Sequence, residues 1–172
     1  MKPPFTTQQT DRRHRMIWFY EGLDKSGKTT LAQRCQKECT TVCPCAMYDR
    51  GTVSREVFWH FNHEVDFPIE ERLAVEKALT DLGIYGIVWC RALPETCLHR
   101  ETEAGEVAAD QASQELRLRQ LREHDCLFQR LIAMRERQGV PVVEVWTDRS
   151  EIGGTIENIL TAISGGRWAR RV

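Results

Sequence analysis

Long apolar runs are missing from this chain. None of its 172 residues belongs to a stretch near the ~18–20 needed to cross a bilayer. That excludes a membrane-spanning helix by pattern. Met1-Lys2-Pro3-Pro4-Phe5 is followed by the polar TTQQT rather than an apolar core, which argues against a secretion signal and points to the cytoplasm. A strong charge of either sign is missing too. The net value of −1 leaves no global basic field to draw in nucleic acid or a membrane surface. Local charge gathers at Asp11-Arg12-Arg13-His14-Arg15 and in the last eight residues, Gly165 to Val172, both read as solvated ends. There is no internal repeat and no low-complexity segment. Cysteine is not scarce, but the seven include no C-x-x-C pair, and an odd count does not suit a disulfide framework. Mostly free thiols are expected in a reducing compartment. Cys35, Cys39, Cys43 and Cys45 bunch together, so a tetrahedral thiolate zinc site is conceivable, although small thiols also pack as ordinary core residues.

What is present is the composition of a globular protein, 41% hydrophobic and 28% charged, in a length that suits one domain. That domain is expected over 15–164, between a leader at 1–14 and a basic tail at 165–172. Strand character appears at 16–21, 46–49, 86–90 and 141–146. Helical character appears at 28–39, 55–63, 69–82, 95–101, 110–138 and 155–163. Leu73, Ala78, Leu79 and Leu82 mark the inward side of the third helix, and Asp110 caps the long fifth one. Strands alternating with helices predict an α/β fold, a three-layer α/β/α sandwich around a mostly parallel sheet. Leu116, Leu118, Leu121, Phe128 and Leu131 give the long helix more apolar surface than one narrow stripe, which permits a homodimer.

The most specific signal follows the first strand. Gly22-Leu23-Asp24-Lys25-Ser26-Gly27-Lys28-Thr29 satisfies G-x-x-x-x-G-K-[ST] at every fixed position, between a strand and a helix. Glycines let backbone amides turn around phosphate oxygens, and the start of the next helix favours an anion. Lys28 reaches the β- and γ-phosphates, and the Thr29 hydroxyl can ligate Mg²⁺. The expectation is an ATP or GTP site with magnesium. It is formed by Gly22, Asp24, Lys25, Ser26, Gly27, Lys28, Thr29 and Thr30. Asp49, at the end of the second strand, stands where a second metal-holding acid belongs, and Arg50 beside it offers a planar fork for phosphate.

Glu21 and the loop, FYEGLDKSGKTT, resemble the opening of thymidylate kinases, F-E-G-x-D-x-x-G-K-[ST]-T. Asp49-Arg50-Gly51-Thr52-Val53-Ser54-Arg55-Glu56-Val57-Phe58-Trp59 resembles that family's D-R-[YH]-x-x-S-x-x-A-Y-Q segment, and Leu93-Pro94-Glu95 to Arg100 its P-E-x-x-x-x-R. The resemblance implies a P-loop kinase. Lys28 and the loop would hold the ATP phosphates, with Thr29 and Asp49 on Mg²⁺. Asp24 would meet the acceptor's sugar hydroxyl, and Arg50 its phosphate. Ser54 and Phe58 would line the acceptor side, and Arg149 would lie against adenine. The cation that steadies the transferring group would be Lys25, with Arg100 as the second candidate, since the lid-like segment 101–106 is acidic.

Departures from the pattern concern the acceptor. The T-R-E-P strand and the helices that usually precede the D-R segment are absent, and Gly51 replaces the usual aromatic. The donor half is intact and the acceptor half reduced. The expected activity is therefore transfer of the ATP γ-phosphate to a pyrimidine deoxynucleotide. Two alternatives stay open: the hydroxymethyl group of 5-hydroxymethyluracil within DNA, and a deoxynucleoside. A hydroxyl acceptor would need a base, Asp49 or Glu21. For a base within DNA, Phe58, Trp59, His60, Phe61 and His63 would offer stacking surface, and the arginine-rich ends would contact phosphates. A non-kinase alternative is an ATP-binding switch protein.

Overall fold

The computed structural model describes residues 16–42, 46–62, 68–149 and 151–165. The expected leader, all but Gly165 of the tail, Cys43, Cys45 and His63 lie outside the described residues. Among the described residues, four strands and six helices follow in the order β1 (Ile17–Glu21), α1 (Lys28–Val42), β2 (Ala46–Asp49), α2 (Thr52–Asn62), α3 (Ile69–Asp81), β3 (Tyr85–Arg91), α4 (Pro94–Glu103), α5 (Gln111–Arg137), β4 (Val142–Trp146) and α6 (Ile152–Gly165). All strand pairs are parallel, in the order β2-β1-β3-β4.

Both faces of the sheet are covered, which explains why its strands read as continuous apolar runs. In β1, Trp18 and Tyr20 point to one face with Val88 and Cys90 of β3 and Val143 and Val145 of β4, under Leu31, Ala32 and Cys35 of α1 and Ile156 and Ile159 of α6. The other face carries Tyr85, Ile87, Trp89 and Val142 beneath Val53 and Val57 of α2, Cys97 of α4, and Leu121, Phe128, Leu131 and Ile132 of α5. The α/β expectation is met, and the layering is compatible with an α/β/α sandwich. Among the described residues no helix is long and apolar enough to cross a membrane.

Asp110 caps α5 by accepting from the Ser113 amide at 2.9 Å, as its sequence position predicts. The third helix differs from expectation. Leu73, Ala78 and Leu82 are exposed, and of the expected side Leu79 packs inward, together with Glu76. The reason is an ion cluster: Arg135 of α5, 2% exposed, donates to Glu76 at 2.7 Å and to Glu56 of α2 at 2.8 Å. A buried guanidinium requires partners, and it outweighs the leucine pattern in setting which side of α3 faces in. The apolar surplus of α5 is partly spent inside the chain as well. Leu121, Phe128 and Leu131 are core, while Leu116 stays exposed.

Helices α2 and α6 each begin three residues before the expected start. Thr52 opens α2 directly after Gly51, and α6 runs through Gly153 and Gly154 despite their poor intrinsic helix preference.

Candidate active site

From the end of β1 the chain crosses to β2 on one side, and β3 lies on the other. The carboxyl ends of β1 and β3 therefore flank a topological switch point, where open parallel sheets leave a crevice. The glycine-rich loop fills that position. Gly22 has φ +148°, and a Cβ there would lie 2.2 Å from the Cys90 carbonyl oxygen, so only glycine lets the loop turn this close to β3. The Ser26 amide donates to the Leu23 carbonyl at 3.2 Å, and α1 starts at Lys28 with its first-turn amides lacking intrahelical acceptors. The Ser26 hydroxyl is fully buried in the loop without a protein partner.

Lys28 is 3% exposed and curls back so that its ammonium donates to the Leu23 carbonyl at 2.7 Å. Burial holds it below the ordinary lysine value, against the pull of Asp24. Asp24 lies 3.7 Å from Lys28 and 3.2 Å from Arg50, and its other oxygen is 3.8 Å from Arg117 of α5. The Thr29 hydroxyl donates to Asp49 at 2.5 Å, joining the start of α1 to the end of β2. Among the described non-glycine residues, only Lys25 (φ 56°) and Arg50 (φ 65°) have left-handed backbones, and both line this cleft. Strain of that kind persists where the surroundings over-determine it, and it gathers at functional sites.

The cleft measures about 850 Å³ and is bounded by the loop, Arg50, Arg100, Glu101, Glu106, Arg117 and Thr147. Lys25 is held by Glu106 at 2.5 Å. Arg100 donates to the Lys25 backbone carbonyl at 2.8 Å, and the Thr147 hydroxyl to that of Ser26 at 2.7 Å. Two outer elements thus brace the loop through its own backbone.

No protein-family model matches the chain, and no curated protein matches it.

Of the residues singled out by sequence, Asp24, Lys25, Gly27, Lys28, Thr29, Thr30, Arg50 and Arg100 line the cleft, with Asp49 joined to it through Thr29. Others do not border it. Ser54 is fully buried, and its hydroxyl is donated to Glu21. Phe58 lies edge-on to His124, and the Arg50 guanidinium sits 5.5 Å over its ring, so the chain itself takes one of its faces. Arg149 stacks on Trp146 at 3.6 Å and does not border the cleft, because the indole offers a cation a better seat. On the same α2 segment Trp59 and His60 are exposed, while Phe61 packs on His124 at 4.3 Å. Glu101 and Glu106, the ends of the acidic lid-like segment, line the cleft, and so do Arg117 and Thr147, which sequence reasoning passed over. Arg117 is one of six arginines on α5, and nothing in its spacing separates it from the others.

Glu21 is a helix anchor rather than a base facing the cleft. It is fully buried and accepts from the Val53 amide at 3.1 Å, the Ser54 amide at 2.9 Å and the Ser54 hydroxyl. A Cβ at Gly51 would sit 2.6 Å from its carboxylate, so the glycine after Asp49-Arg50 is what lets the acid reach the start of α2. Burial pushes the Glu21 carboxyl up to about 7, against the lowering effect of the Ser54 contacts. The unfolded chain ionises this group near 4.5, so the fold holds an extra proton from there to about 7 and loses stability as pH rises through that window. Glu21→Gln is expected to flatten the decline, on the order of 3 kcal/mol across the window, whatever constant cost its lost hydrogen bond adds. Thermal melts at stepped pH read this directly; an unchanged slope would mean that Glu21 ionises normally in the fold.

As for metals, no three His, Cys, Asp or Glu side chains assemble into a ligand set among the described residues. Cys35, Cys90, Cys97 and Cys126 are free thiols and Cys39 is disulfide-bonded, while Cys43 and Cys45 lie outside the described residues.

Proposed function

We propose that this chain is a P-loop kinase of thymidylate-kinase type, transferring the γ-phosphoryl group of ATP to a pyrimidine deoxynucleotide. The observation that carries the proposal is the meeting of Lys28, Arg50 and Arg117 around Asp24, beside the Thr29–Asp49 pair, at the mouth of a glycine-rich loop. Neutral ligands have no use for three cations at one end of a cleft; a phosphate chain does. The Ser26 hydroxyl without a protein partner and the start of α1, whose first amides have no intrahelical acceptor, fit the same group.

In this reading Lys28 and the loop grip the triphosphate. Thr29 and Asp49 hold magnesium, which needs only one or two protein oxygens when phosphates and water complete its shell, and which bridges and partly neutralises the phosphate oxygens. The protein's share of catalysis is alignment and charge, because phosphoryl transfer asks for little covalent chemistry from it. Arg50, with a 51% exposed side chain, faces the open side and suits the acceptor's phosphate. If the acceptor is instead a neutral hydroxyl, Asp49 is the carboxylate left to take its proton, since both Glu21 oxygens are engaged by α2.

Labelled ATP and magnesium, offered with dTMP, thymidine, plain DNA and DNA containing 5-hydroxymethyluracil, test this. Label in dTMP is the expected result. Label only in thymidine or only in the modified DNA moves the acceptor while keeping the kinase. Hydrolysis without transfer to any acceptor would favour the switch-protein reading and end the proposal.

A further inference from the structure

Arg117 belongs to none of the sequence motifs, yet its guanidinium is the most firmly held cation of the cleft. Glu101, on α4, is 2% exposed, and Arg117 takes both of its oxygens, Nε to Oε2 at 2.7 Å and Nη2 to Oε1 at 2.6 Å. A carboxylate sealed this far from water must be paired, and a two-point pair fixes the plane of the guanidinium as a single contact would not. The same Nη2 lies 3.8 Å from Asp24, on the cleft side.

Lys28 and Arg50 also approach Asp24, at 3.7 and 3.2 Å, but neither is fixed by a two-point pair. The Lys25 ammonium is on Glu106, and Arg100 bonds to backbone carbonyls of Lys25 and Thr147. Lys28 covers the loop, and Arg50 stands at the open side over Phe58. Arg117 reaches the Asp24 end of the loop from α5, in a geometry set by a buried partner.

We infer that Arg117, positioned by Glu101, is the catalytic cation that meets the phosphoryl group during transfer. This rests on the kinase reading above. In the step, the bond from the γ-phosphorus to the β–γ bridging oxygen breaks and ADP leaves with that electron pair. A bond forms from an acceptor oxygen to the same phosphorus, and Arg117 gains and loses no proton. A guanidinium already locked in place answers the charge on the equatorial oxygens without reorganising. Glu101 never touches the substrate and is a positioning residue. The competing explanation is that the pair merely braces α4 against α5.

The test compares Arg117→Lys, Glu101→Gln, and the double variant Arg117→Met/Glu101→Gln, which removes the buried charges together and so does not strand a carboxylate. Each is assayed with whichever acceptor takes label, with melting followed in parallel. The arginine variants are expected to lose ~10²–10³-fold in kcat, with KM for ATP within about threefold of the parent. Free guanidinium should restore part of the double variant's activity, and Glu101→Gln should fall between parent and arginine variants. A brace alone would lower the melting temperature, leave kcat unchanged and show no guanidinium rescue, which would overturn the assignment while leaving the kinase reading intact. A parent protein that labels no acceptor would overturn both.

Discussion

Replacing Lys28 by alanine is expected to abolish phosphoryl transfer to every acceptor, by ~10³-fold or more, in line with the loss of a cation from a transferring phosphate. The same variant is expected to melt no lower than the parent. Lys28 is an ammonium 3% exposed, held below its ordinary pKa by burial despite a carbonyl contact at 2.7 Å and the Asp24 carboxylate 3.7 Å away. Such a group costs the folded state something to keep, and its removal gives that back. Few substitutions at buried positions combine complete loss of activity with unimpaired stability, so the pair of results is diagnostic. A steady-state assay and a thermal melt on one preparation supply both. Retained turnover would remove Lys28 from the site; a collapse in stability would make it a structural residue.

The largest effect on stability is expected far from that loop. Arg135→Met strands Glu76, 6% exposed, with no other cation paired to it among the described residues, and should cost about 3–5 kcal/mol. For a chain of this length that corresponds to a fall of roughly 10 °C or more in melting temperature. Arg135→Met with Glu76→Leu should recover most of the loss, because removing a buried pair together is far cheaper than breaking it. Glu56, whose side chain is 23% exposed, keeps enough water to tolerate either change. Since Glu56 belongs to α2, which begins just past Arg50, the single variant should also weaken acceptor use before it unfolds the protein. A single variant melting with the parent would show that this cluster is solvated in solution.

The sequence was most informative where a backbone requirement left a residue signature. Gly22 is legible because a Cβ there would lie 2.2 Å from a neighbouring carbonyl oxygen, and Asp110 because a helix start needs an acceptor. The strands were legible because burial on both faces leaves continuous apolar runs. What stayed hidden depends on contacts between distant segments. Glu101 with Arg117, and Arg135 with Glu76, each join residues on different helices, and a charged residue in a charge-rich helix carries no mark of its partner. Ser54 shows the opposite failure. It matches a motif position, but Glu21, thirty-three residues earlier, takes its hydroxyl into the core. Gly51 was legible only as a departure from the family pattern, and its use emerged once the Glu21 carboxylate was found against it.

Calorimetric titration of the protein with ATP and magnesium tests the central claim most directly. One saturable site per chain is predicted, weakened by leaving out magnesium and lost in Lys28→Ala. An absence of heat at millimolar ATP, or equal binding by that variant, would contradict it.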